Sequence, residues 1–558
     1  MSAIKNLFKG HIFDENALMT IASLGAFAIG SYHEAVAVIL FYQIGELLQH
    51  KAVERSRHSI TELMDIRPDY ANVQRDGKTL KISPIEVIVG EIIVVNPGER
   101  IPLDGEVVSG EAYLDTRALT GESVPVRVHN GSKVLSGSVC SDSPLRIKVE
   151  KEFKESTASK ILDMVQYAQS QKTQSERFIT KFARYYTPAV VALAILIMLI
   201  PSLITHDIKT WIYRGLLFLV VSCPCALVVS VPLGFFAGIG CSSKNGILIK
   251  GSNYLESLSK LDSVVFDKTG TLTKGEFKVN DICTHLDKSE FLELAAYAEY
   301  YSSHPIAISI KQEYKKNIDE NKIKNYREIS GMGISVQIND KEILLGNRKL
   351  VQNAPESKYN AVYMSIDGEY VGYIIIDDSI KPDAKQTIEA LNKEGIKTVM
   401  LTGDTAENAE FISTELGINT VYSQLLPQNK VCRIEDILNN KAEKSSVAFV
   451  GDGINDAPVL ARADIGIAMG GLGSDSAIEA ADVVLMTDEP SKILTAVKIS
   501  KKTMRIVREN IIFALGVKVF IMILSAMGLT NMWLAIFGDV GVALIAVLNS
   551  LRGFQNNR

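Results

Sequence analysis

The sequence lacks the features that mark several large classes of protein. Its 558 residues contain six cysteines without a repeated spacing, so the disulfide framework of a small secreted domain is not expected. The net charge of −5 gives no electrostatic reason to expect nucleic acid as a partner. The amino-terminal stretch contains neither a compact apolar core nor a small-residue cleavage site, which argues against a secretory signal. No internal repeat is visible.

Long apolar blocks are present, although the average composition of 47% hydrophobic and 22% charged residues hides them. Because a helix needs about 20 residues to cross the hydrocarbon of a bilayer, the blocks predict six spans in three hairpins. For the first two, shorter blocks the alternative is a soluble helical hairpin. The blocks cover residues 17–30, 34–49, 186–204, 211–240, 510–530 and 533–551.

Basic residues cluster beside the two long segments that separate the apolar hairpins. Cytoplasmic loops carry an excess of Lys and Arg, so both long segments and both termini are expected in the cytosol, as in a multi-pass protein of the cell membrane. The short loops hold only Lys209 and, just inside a span, Arg214. The clustered residues are Lys51, Arg55, Lys181, Arg184, Lys244, Lys250, Lys501, Lys502, Arg505 and Arg508.

The two long segments predict different folds. In the first, stretches such as "YANVQRDGKTLKI" alternate apolar and polar residues between turn residues, which predicts a small antiparallel β domain. In the second, four short apolar strands run into polar loops and alternate with helical stretches, which predicts a parallel doubly wound sheet. About 100 residues with their own hairpins separate the first two of these strands, so an inserted domain is expected.

Acidic residues follow three strands of the predicted parallel sheet. They are Asp267, Asp404 and the pair Asp452 and Asp456. Ligands of such sheets bind beyond the carboxyl ends of the strands, where carboxylates this close together need a divalent cation such as Mg²⁺. A carboxylate can also attack phosphorus to form an acyl phosphate. The alternative is that these residues are simply solvated strand ends. This interpretation is weaker, because four loops lie at one edge of the sheet.

Four motifs, "LTGES" (119–123), "DKTGTLT" (267–273), "TGD" (402–404) and "GDGINDAP" (451–458), resemble the signature set of the P-type ATPases in that family's order. The two longer motifs are highly specific, and the resemblance covers essentially the whole chain. It implies an α/β multidomain membrane protein with about six transmembrane helices and a β-rich actuator domain. It also implies a haloacid-dehalogenase-like (Rossmann-like) phosphorylation domain with an inserted α+β nucleotide-binding domain.

The resemblance also implies domain boundaries. The expected domains are an N-terminal amphipathic start with the first transmembrane hairpin (1–50), the actuator domain (51–180), a second transmembrane hairpin (181–260), the phosphorylation domain in two parts (261–275 and 378–500), the nucleotide-binding domain (276–377) and a third transmembrane hairpin (501–558).

By the same resemblance, ATP phosphorylates Asp267, and Glu122 positions the water that later hydrolyses the aspartyl phosphate. The residues expected to hold the phosphoryl group are Lys268, Thr269, Thr402, Asp404 and Lys430. The expected Mg²⁺ ligands are Asp267, Thr269 and Asp452, with Asn455 and Asp456 in support. Standing alone, the "TGES" stretch would be interpreted as a turn of small residues.

The inserted segment resembles the nucleotide-binding domain of the heavy-metal (type IB) branch of this family. The residues that carry the resemblance, and that are expected to form the adenine pocket, are Glu299, His304, Gly331, Gly333 and Asn347. Glycines there would permit close approach of the backbone to the base. A lone His-Pro pair or a lone G-x-G would be weak support for such a pocket.

Two cysteines flank a proline inside the fourth apolar block, in "SCPCALVVSVP". On a regular helix Cys223 and Cys225 would face opposite sides, about 200° apart. Pro224 removes an amide donor and clashes with the preceding turn, and the resulting unwinding can bring both sulfur atoms to one point. Thiolates are soft ligands, so this point is expected to be a transition-metal site.

Two charged residues also lie within apolar blocks. Lys518 and Asp539 would each cost at least about 2.5 kcal/mol at mid-membrane if unpaired. Two thiolates and the Asp539 carboxylate suit Zn²⁺, Cd²⁺ and Pb²⁺ better than Cu⁺, for which all-sulfur coordination is natural. Asn510, Lys518 and "DVG" (539–541) behind a Cys-Pro-Cys helix resemble the subgroup that exports these three ions. We expect Lys518 to pair with Asp539 when metal is absent, as an internal counter-ion.

The sequence therefore predicts an enzyme that exports Zn²⁺, Cd²⁺ or Pb²⁺ from the cytosol, with ATP and Mg²⁺ as cofactors, acting as a monomer in lipid. The alternatives are a membrane-anchored phosphohydrolase or metal sensor without transport, and a Cu⁺ pump of the same family. Members of the subgroup usually carry two more N-terminal helices and often a Cys-x-x-Cys domain, whereas this sequence starts with "MSAIKNLFKGHIF". A truncated form and a short member are both consistent with that start.

Overall fold

The structure, a computed structural model, describes most of the chain and divides into two compact units. One unit consists of Met1–Lys260 with Thr495–Arg558, and the other is Leu261–Leu494. The described residues are 15–28, 30, 32–33, 35–36, 39–40, 43–44, 46–47, 51, 68–75, 77–120, 125–160, 174–222, 225–302, 304–329, 332–355, 361–452, 456–470 and 479–554.

The first unit contains a β domain made of two antiparallel sheets. Its strands are β1 (Ala71–Arg75), β2 (Lys78–Ile82), β3 (Ile92–Val95), β4 (Gly105–Ser109), β5 (Ala112–Asp115), β6 (Val126–Val128), β7 (Lys133–Val134), β8 (Val139–Cys140) and β9 (Leu145–Val149). The strand orders are β2-β1-β3-β9-β4-β7 and β6-β5-β8. Leu145, Ile147 and Val149 alternate with exposed residues and point into the core, as the period of a strand requires. The predicted antiparallel β domain is confirmed.

The same unit contains the helices on either side of this domain. They are α1 (Glu15–Ala28), α2 (Gln174–Thr205), α3 (Ile208–Val221), α4 (Cys225–Lys244) and, after the short strand β10 (Ile247–Ile249), α5 (Ser252–Leu258). Asp207 caps α3 by accepting a hydrogen bond from the Thr210 amide at 3.2 Å. This cap satisfies a free amide at the start of α3, where the chain turns back after α2.

The second unit contains two sheets with their helices. In chain order its elements are β11 (Leu261–Asp267), β12 (Thr273–Thr284), α6 (Lys288–Ala298), α7 (Pro305–Tyr314), β13 (Ile323–Ile329), β14 (Gly333–Ile338), β15 (Lys341–Gly346), β16 (Ala361–Ile366), β17 (Glu369–Ile380), α8 (Ala384–Lys393), β18 (Lys397–Leu401), α9 (Ala406–Leu416), β19 (Thr420–Tyr422), α10 (Pro427–Asn440), β20 (Ser446–Gly451), α11 (Ala457–Arg462), β21 (Ile465–Ala468) and β22 (Val483–Leu485).

The parallel sheet of this unit has the strand order β22-β21-β20-β11-β18-β19. Its neighbouring strands are parallel throughout this order, and every residue of β20 is buried, as expected for strands covered on both faces. The predicted doubly wound sheet is confirmed. Strand β11 lies between β18 and β20, so the carboxyl ends of these three strands meet at one edge.

The antiparallel sheet of this unit lies between β11 and β18 in sequence, where an inserted domain was expected. Its strand order is β12-β17-β16-β15-β14-β13. Asn339 and Asp340, between β14 and β15, have φ values of 49° and 63°, as the two-residue turn of a hairpin requires. Residues from α6, α7 and the sheet share one core, which includes Phe291, Ile310 and Leu345. The domain boundaries given above stay a prediction.

The last helices of the chain lead back into the first unit, which α12 enters at Thr495. They are α12 (Ser491–Met527), α13 (Met532–Ile536), a π-helical turn at Phe537–Gly541 and α14 (Val542–Leu551). Among the described residues, four helices are long and apolar enough to cross a membrane, with windows at Pro188–Thr205, Ile208–Lys244, Ser491–Met527 and Trp533–Phe554. The predicted count of six spans is not confirmed, since α1 has 14 residues and much of the second apolar block lies outside the described residues.

Candidate functional site

Asp267 is the last residue of β11 and lies at the edge where three parallel strands end. Its side chain is buried, and Lys430, from the first turn of α10, donates a hydrogen bond to Asp267 Oδ1 at 2.5 Å. The same ammonium group donates to Asp456 Oδ1 at 3.0 Å. One lysine therefore bridges two carboxylates that reach the edge from different loops.

Asp267, Asp452 and Asp456 form a compact acidic cluster, with ligand oxygens that all lie within 4.8 Å of one another. The pKa of Asp267 is raised to about 7, mainly by burial and then by the Asp456 carboxylate, while Lys430 opposes both effects. Burial also raises the pKa of Asp452, again with help from Asp456. Carboxylates under this mutual repulsion favour a divalent cation, and an all-oxygen donor set is the one that Mg²⁺ prefers.

Gly270 allows the loop after Asp267 to approach this cluster. Its φ is +72°, which L side chains rarely adopt. A Cβ atom at this position would lie 1.6 Å from Asp452 Oδ2. The motif therefore needs glycine here for two independent reasons, the backbone conformation and the space.

Lys268 and the loop after β18 form a second ion pair at the same edge. Lys268 Nζ lies 2.5 Å from Asp404 Oδ2, and only 4% of the lysine side chain is exposed. Thr402 Oγ1 accepts a hydrogen bond from the Asp404 amide at 3.1 Å. Asn408, which the sequence analysis did not single out, donates to Asp404 Oδ2 at 2.7 Å. Thr269 lies in the loop after Lys268 with an exposed side chain.

A buried lysine that the sequence did not indicate also holds the loop that carries Asp267. Lys381, directly after β17, donates hydrogen bonds at 2.6 Å to the Gly270 carbonyl and to Asp488 Oδ1. Nearby, the hydroxyl of Thr273 is hydrogen bonded to the Asp378 carboxylate. The available signal was the polar stretch "DDSIKPD" at the end of a predicted strand. The strands β12 and β17, which connect the two sheets, are thus attached to the loop that carries Asp267.

The inserted domain contains a cavity of about 340 Å³ whose lining includes Glu299, His304, Gly333 and Asn347. Gly333 has a φ of +143°, and a Cβ atom there would lie 2.2 Å from a backbone carbonyl oxygen, so the close packing of the backbone requires glycine. The structure thus brings together four of the five residues expected around the adenine, and Gly331 lies outside the described residues.

Glu299 is a buried carboxyl group in this cavity, and burial raises its pKa from an ordinary 4.5 to about 7. The folded state therefore binds this proton more tightly than the unfolded chain, and the associated stability is lost as the pH rises from about 4.5 through 7. The difference corresponds to ~3 kcal/mol. We expect Glu299→Gln to be more stable than the wild type at pH 8 and to have little advantage at pH 5.

Thermal unfolding of both proteins at the two pH values measures this difference. Glu313→Gln, which removes an exposed carboxyl group from the neighbouring helix α7, is the matched control and should follow the wild type. If the unfolding temperatures of Glu299→Gln and the wild type differed equally at both pH values, the burial argument would be contradicted.

A second candidate site lies among the membrane helices of the first unit. Lys518 of α12 donates hydrogen bonds to Asp539 Oδ1 at 2.8 Å and to the Val221 carbonyl at 3.1 Å. Lys518 and Asp539 are 2% and 3% exposed, and Asp539 lies in the π-helical turn, a feature frequent at functional sites. The ion pair that the sequence analysis expected is therefore present.

Val221 is the last residue of α3, and the next helix begins at Cys225. The lysine thus contacts the chain end that leads into the Cys-Pro-Cys motif. Cys223 and Pro224 lie outside the described residues, and of Cys225 only the backbone is described. Glu122 and Asn455 also lie outside them. The thiolate ligands and the roles of these residues stay predictions.

Comparison with known proteins gives a family match in each unit. Residues 65–166 match the P-type ATPase actuator domain, and residues 261–464 match the haloacid dehalogenase-like hydrolases. A solved crystal structure of a zinc-transporting PIB-type ATPase in its E2.Pi state has a TM-score of 0.66 and 34% sequence identity. That match covers 99% of this chain and 92% of the other.

Similar sequences lead to the same family. A cadmium, zinc and cobalt-transporting ATPase of Bacillus subtilis (strain 168) is 54% identical, over 99% of this chain and 80% of the relative. A zinc-transporting ATPase of Synechocystis is 50% identical, over 99% of this chain and 78% of the relative. Identity at this level over nearly the whole sequence means that the chain belongs to the P-type ATPases, in their heavy-metal branch.

Proposed function

We propose that this chain is a membrane pump that uses ATP to export zinc, cadmium or cobalt ions from the cytosol through an aspartyl phosphate on Asp267. The observation that carries the transport role is the buried ion pair of Lys518 and Asp539 beside the end of α3. A helix that serves only as an anchor has no need of a charge pair that costs several kcal/mol to bury. Lead, which the sequence analysis also allowed, stays a prediction.

The geometry around Asp267 supports phosphoryl transfer. A carboxylate oxygen of Asp267 attacks the γ-phosphorus of ATP, the bond to the bridging oxygen breaks, and ADP leaves with the electron pair. Lys430 and Lys268 are held at this edge by their carboxylate partners, where their charges offset those of the transferred group. Asp267 and Asp452, with Asp456 in support, would hold Mg²⁺, which supplies further positive charge to the phosphoryl oxygens when bound.

Three further residues complete the proposed phosphorylation cycle. Thr402 and Thr269, in the loops that carry Asp404 and Asp267, would bind phosphoryl oxygens through their hydroxyl groups. Glu122 of the actuator domain would orient a water molecule toward the aspartyl phosphate, so that hydrolysis releases phosphate and restores the Asp267 carboxylate. This second step returns the enzyme to its unphosphorylated form, so that a new transport cycle can begin.

The membrane pair supports a mechanism for releasing the metal. Cys223, Cys225 and Asp539 would bind the ion as two thiolates and a carboxylate. Lys518, already hydrogen bonded to Asp539, would take the place of the ion at this carboxylate after release. Phosphorylation of Asp267 would favour the released state of this two-state system. We further propose that the large domains and both termini are cytosolic and that one chain is sufficient.

Transport measurements separate the pump from a membrane-anchored phosphohydrolase. In sealed vesicles containing the purified chain, we expect ATP-dependent accumulation of ⁶⁵Zn or ¹⁰⁹Cd. Replacing Cys223 and Cys225 by serine removes the soft ligands and should reduce accumulation by at least ~10-fold. The matched control replaces two other free thiols, Cys140 and Cys432, and should transport normally. ATP hydrolysis without accumulation, or transport that survives loss of both thiols, would contradict the proposal.

A further inference from the structure

A basic cavity of about 420 Å³ lies in the first unit beside α12, before its apolar part begins. Lys501, Arg505, Arg508 and Ile512 of α12 line one side of it. Their spacing of four, three and four residues places them on one face of the helix. Lys260, which follows α5, lines the cavity from a second chain segment. The cavity is therefore a site built from two parts of the chain and not a row of surface lysines.

The charge of this cavity favours an anion. Four basic residues line it against one acidic residue, Glu509. Glu509 also lies 3.8 Å from Arg552, outside the lining, and Lys260 is paired at 2.8 Å with Glu256. Even when Lys260 is set against Glu256 and Lys501 is left out of the count, the two guanidinium groups of Arg505 and Arg508 outnumber the Glu509 carboxylate. Arg505 and Arg508 have exposed side chains, so their guanidinium groups are accessible to a ligand.

The same face of α12 becomes apolar beyond the cavity. Arg505, Ile512 and Val519 follow one another at intervals of seven residues, and Ile523 lies one turn further, so all four share a stripe of the helix. Ile512, Val519 and Ile523 are 65%, 53% and 54% exposed. An amphiphile with an anionic head and an apolar chain matches this whole stripe, whereas free phosphate matches only its basic end.

We propose that this cavity binds the headgroup of an anionic phospholipid of the cytosolic leaflet. The phosphodiester oxygens accept hydrogen bonds from Arg505 and Arg508, whose planar guanidinium groups suit phosphate, and an acyl chain lies along Ile512. Basic pockets beside membrane helices on the cytoplasmic side are suited to such headgroups. The proposal rests on the cytosolic orientation proposed above. Because α12 also carries Lys518, a bound lipid would hold the helix that contributes to the membrane ion pair.

Native mass spectrometry of the full chain in detergent, with equal amounts of phosphatidylglycerol and phosphatidylcholine, tests the proposal. The wild type should retain one phosphatidylglycerol in preference to phosphatidylcholine. Arg505→Gln/Arg508→Gln should weaken this retention by roughly 30-fold, since two basic residues near the lipid are lost. Lys51→Gln/Lys244→Gln removes two cations that the sequence places at the same membrane surface but that do not line the cavity, and it should retain the lipid.

Three results would overturn the proposal. The first is that the wild type shows no preference for the anionic lipid, and the second is that the two double variants retain it equally. The third is that excess inorganic phosphate displaces the lipid, which would mean that the site binds free phosphate. ATP hydrolysis by both variants in phosphatidylcholine vesicles should equal that of the wild type and shows that they are folded. Lipid retention is measured without transport. The lipid proposal can therefore fail while the proposed pump function is correct, and the pump function can fail while the lipid proposal is correct.

Discussion

Asp267→Asn is expected to abolish phosphoenzyme formation and to reduce metal-stimulated ATP hydrolysis by roughly 10⁴-fold or more, the scale of loss when a nucleophile is removed. The amide is a poor nucleophile, and it cannot form the acyl phosphate. The variant should fold, because burial and Asp456 already raise the pKa of Asp267, so that its charge destabilises the folded state at neutral pH. The loss of activity can therefore be assigned to chemistry.

The measurement is incorporation of ³²P from [γ-³²P]ATP into acid-precipitated protein, together with release of the label by hydroxylamine, which cleaves acyl phosphates. Asp281→Asn is the matched control, since Asp281 is an exposed aspartate of the same unit that pairs with Lys288; it should incorporate label normally. Label that persists in Asp267→Asn would mean that another residue is phosphorylated and that the proposed function is wrong at its first step.

The edge of the parallel sheet could be predicted from sequence because the signal is local. Each strand is a short apolar run that ends in a polar loop, and the rules for parallel sheets bring such loops together. The places of Asp267, Asp404 and Asp452 follow from this alone. The hairpins of the inserted domain were also visible, because the turn at Asn339 and Asp340 needs residues that tolerate positive φ.

The residues that hold the loops at this edge of the sheet could not be predicted, because their contacts join positions that are distant in sequence. Lys381 reaches the Gly270 carbonyl only because β17 returns beside β12 after an insertion of about 100 residues. No spacing rule links a lysine to a carbonyl 111 positions away. The second contact of Lys518, with the Val221 carbonyl, is similar, since it requires α3 to end beside α12. Pairing of Lys518 with Asp539 was accessible because an isolated charge in lipid needs a partner.

Removing one partner of the membrane ion pair should have the second large effect. Lys518→Met leaves the Asp539 carboxylate buried without its cation, and Asp539→Asn leaves the Lys518 ammonium without its anion. Each change should destabilise the protein by ~3–5 kcal/mol, because it leaves an uncompensated buried charge. Combining them removes both charges, and most of the stability should return. Lys209→Met, which removes an exposed lysine from the first turn of α3, should change neither stability nor transport.

Transport distinguishes a role in the pump from a role in packing. If the pair only stabilises the helices, the double variant should regain zinc transport together with its stability. If Asp539 binds the ion and Lys518 displaces it, the double variant should be stable and inactive. Lys518→Met should then still bind zinc but release it slowly, whereas Asp539→Asn should bind it weakly. Metal binding at equilibrium, single-turnover release and thermal unfolding of the four proteins measure these quantities, and normal release by Lys518→Met would exclude the counter-ion mechanism.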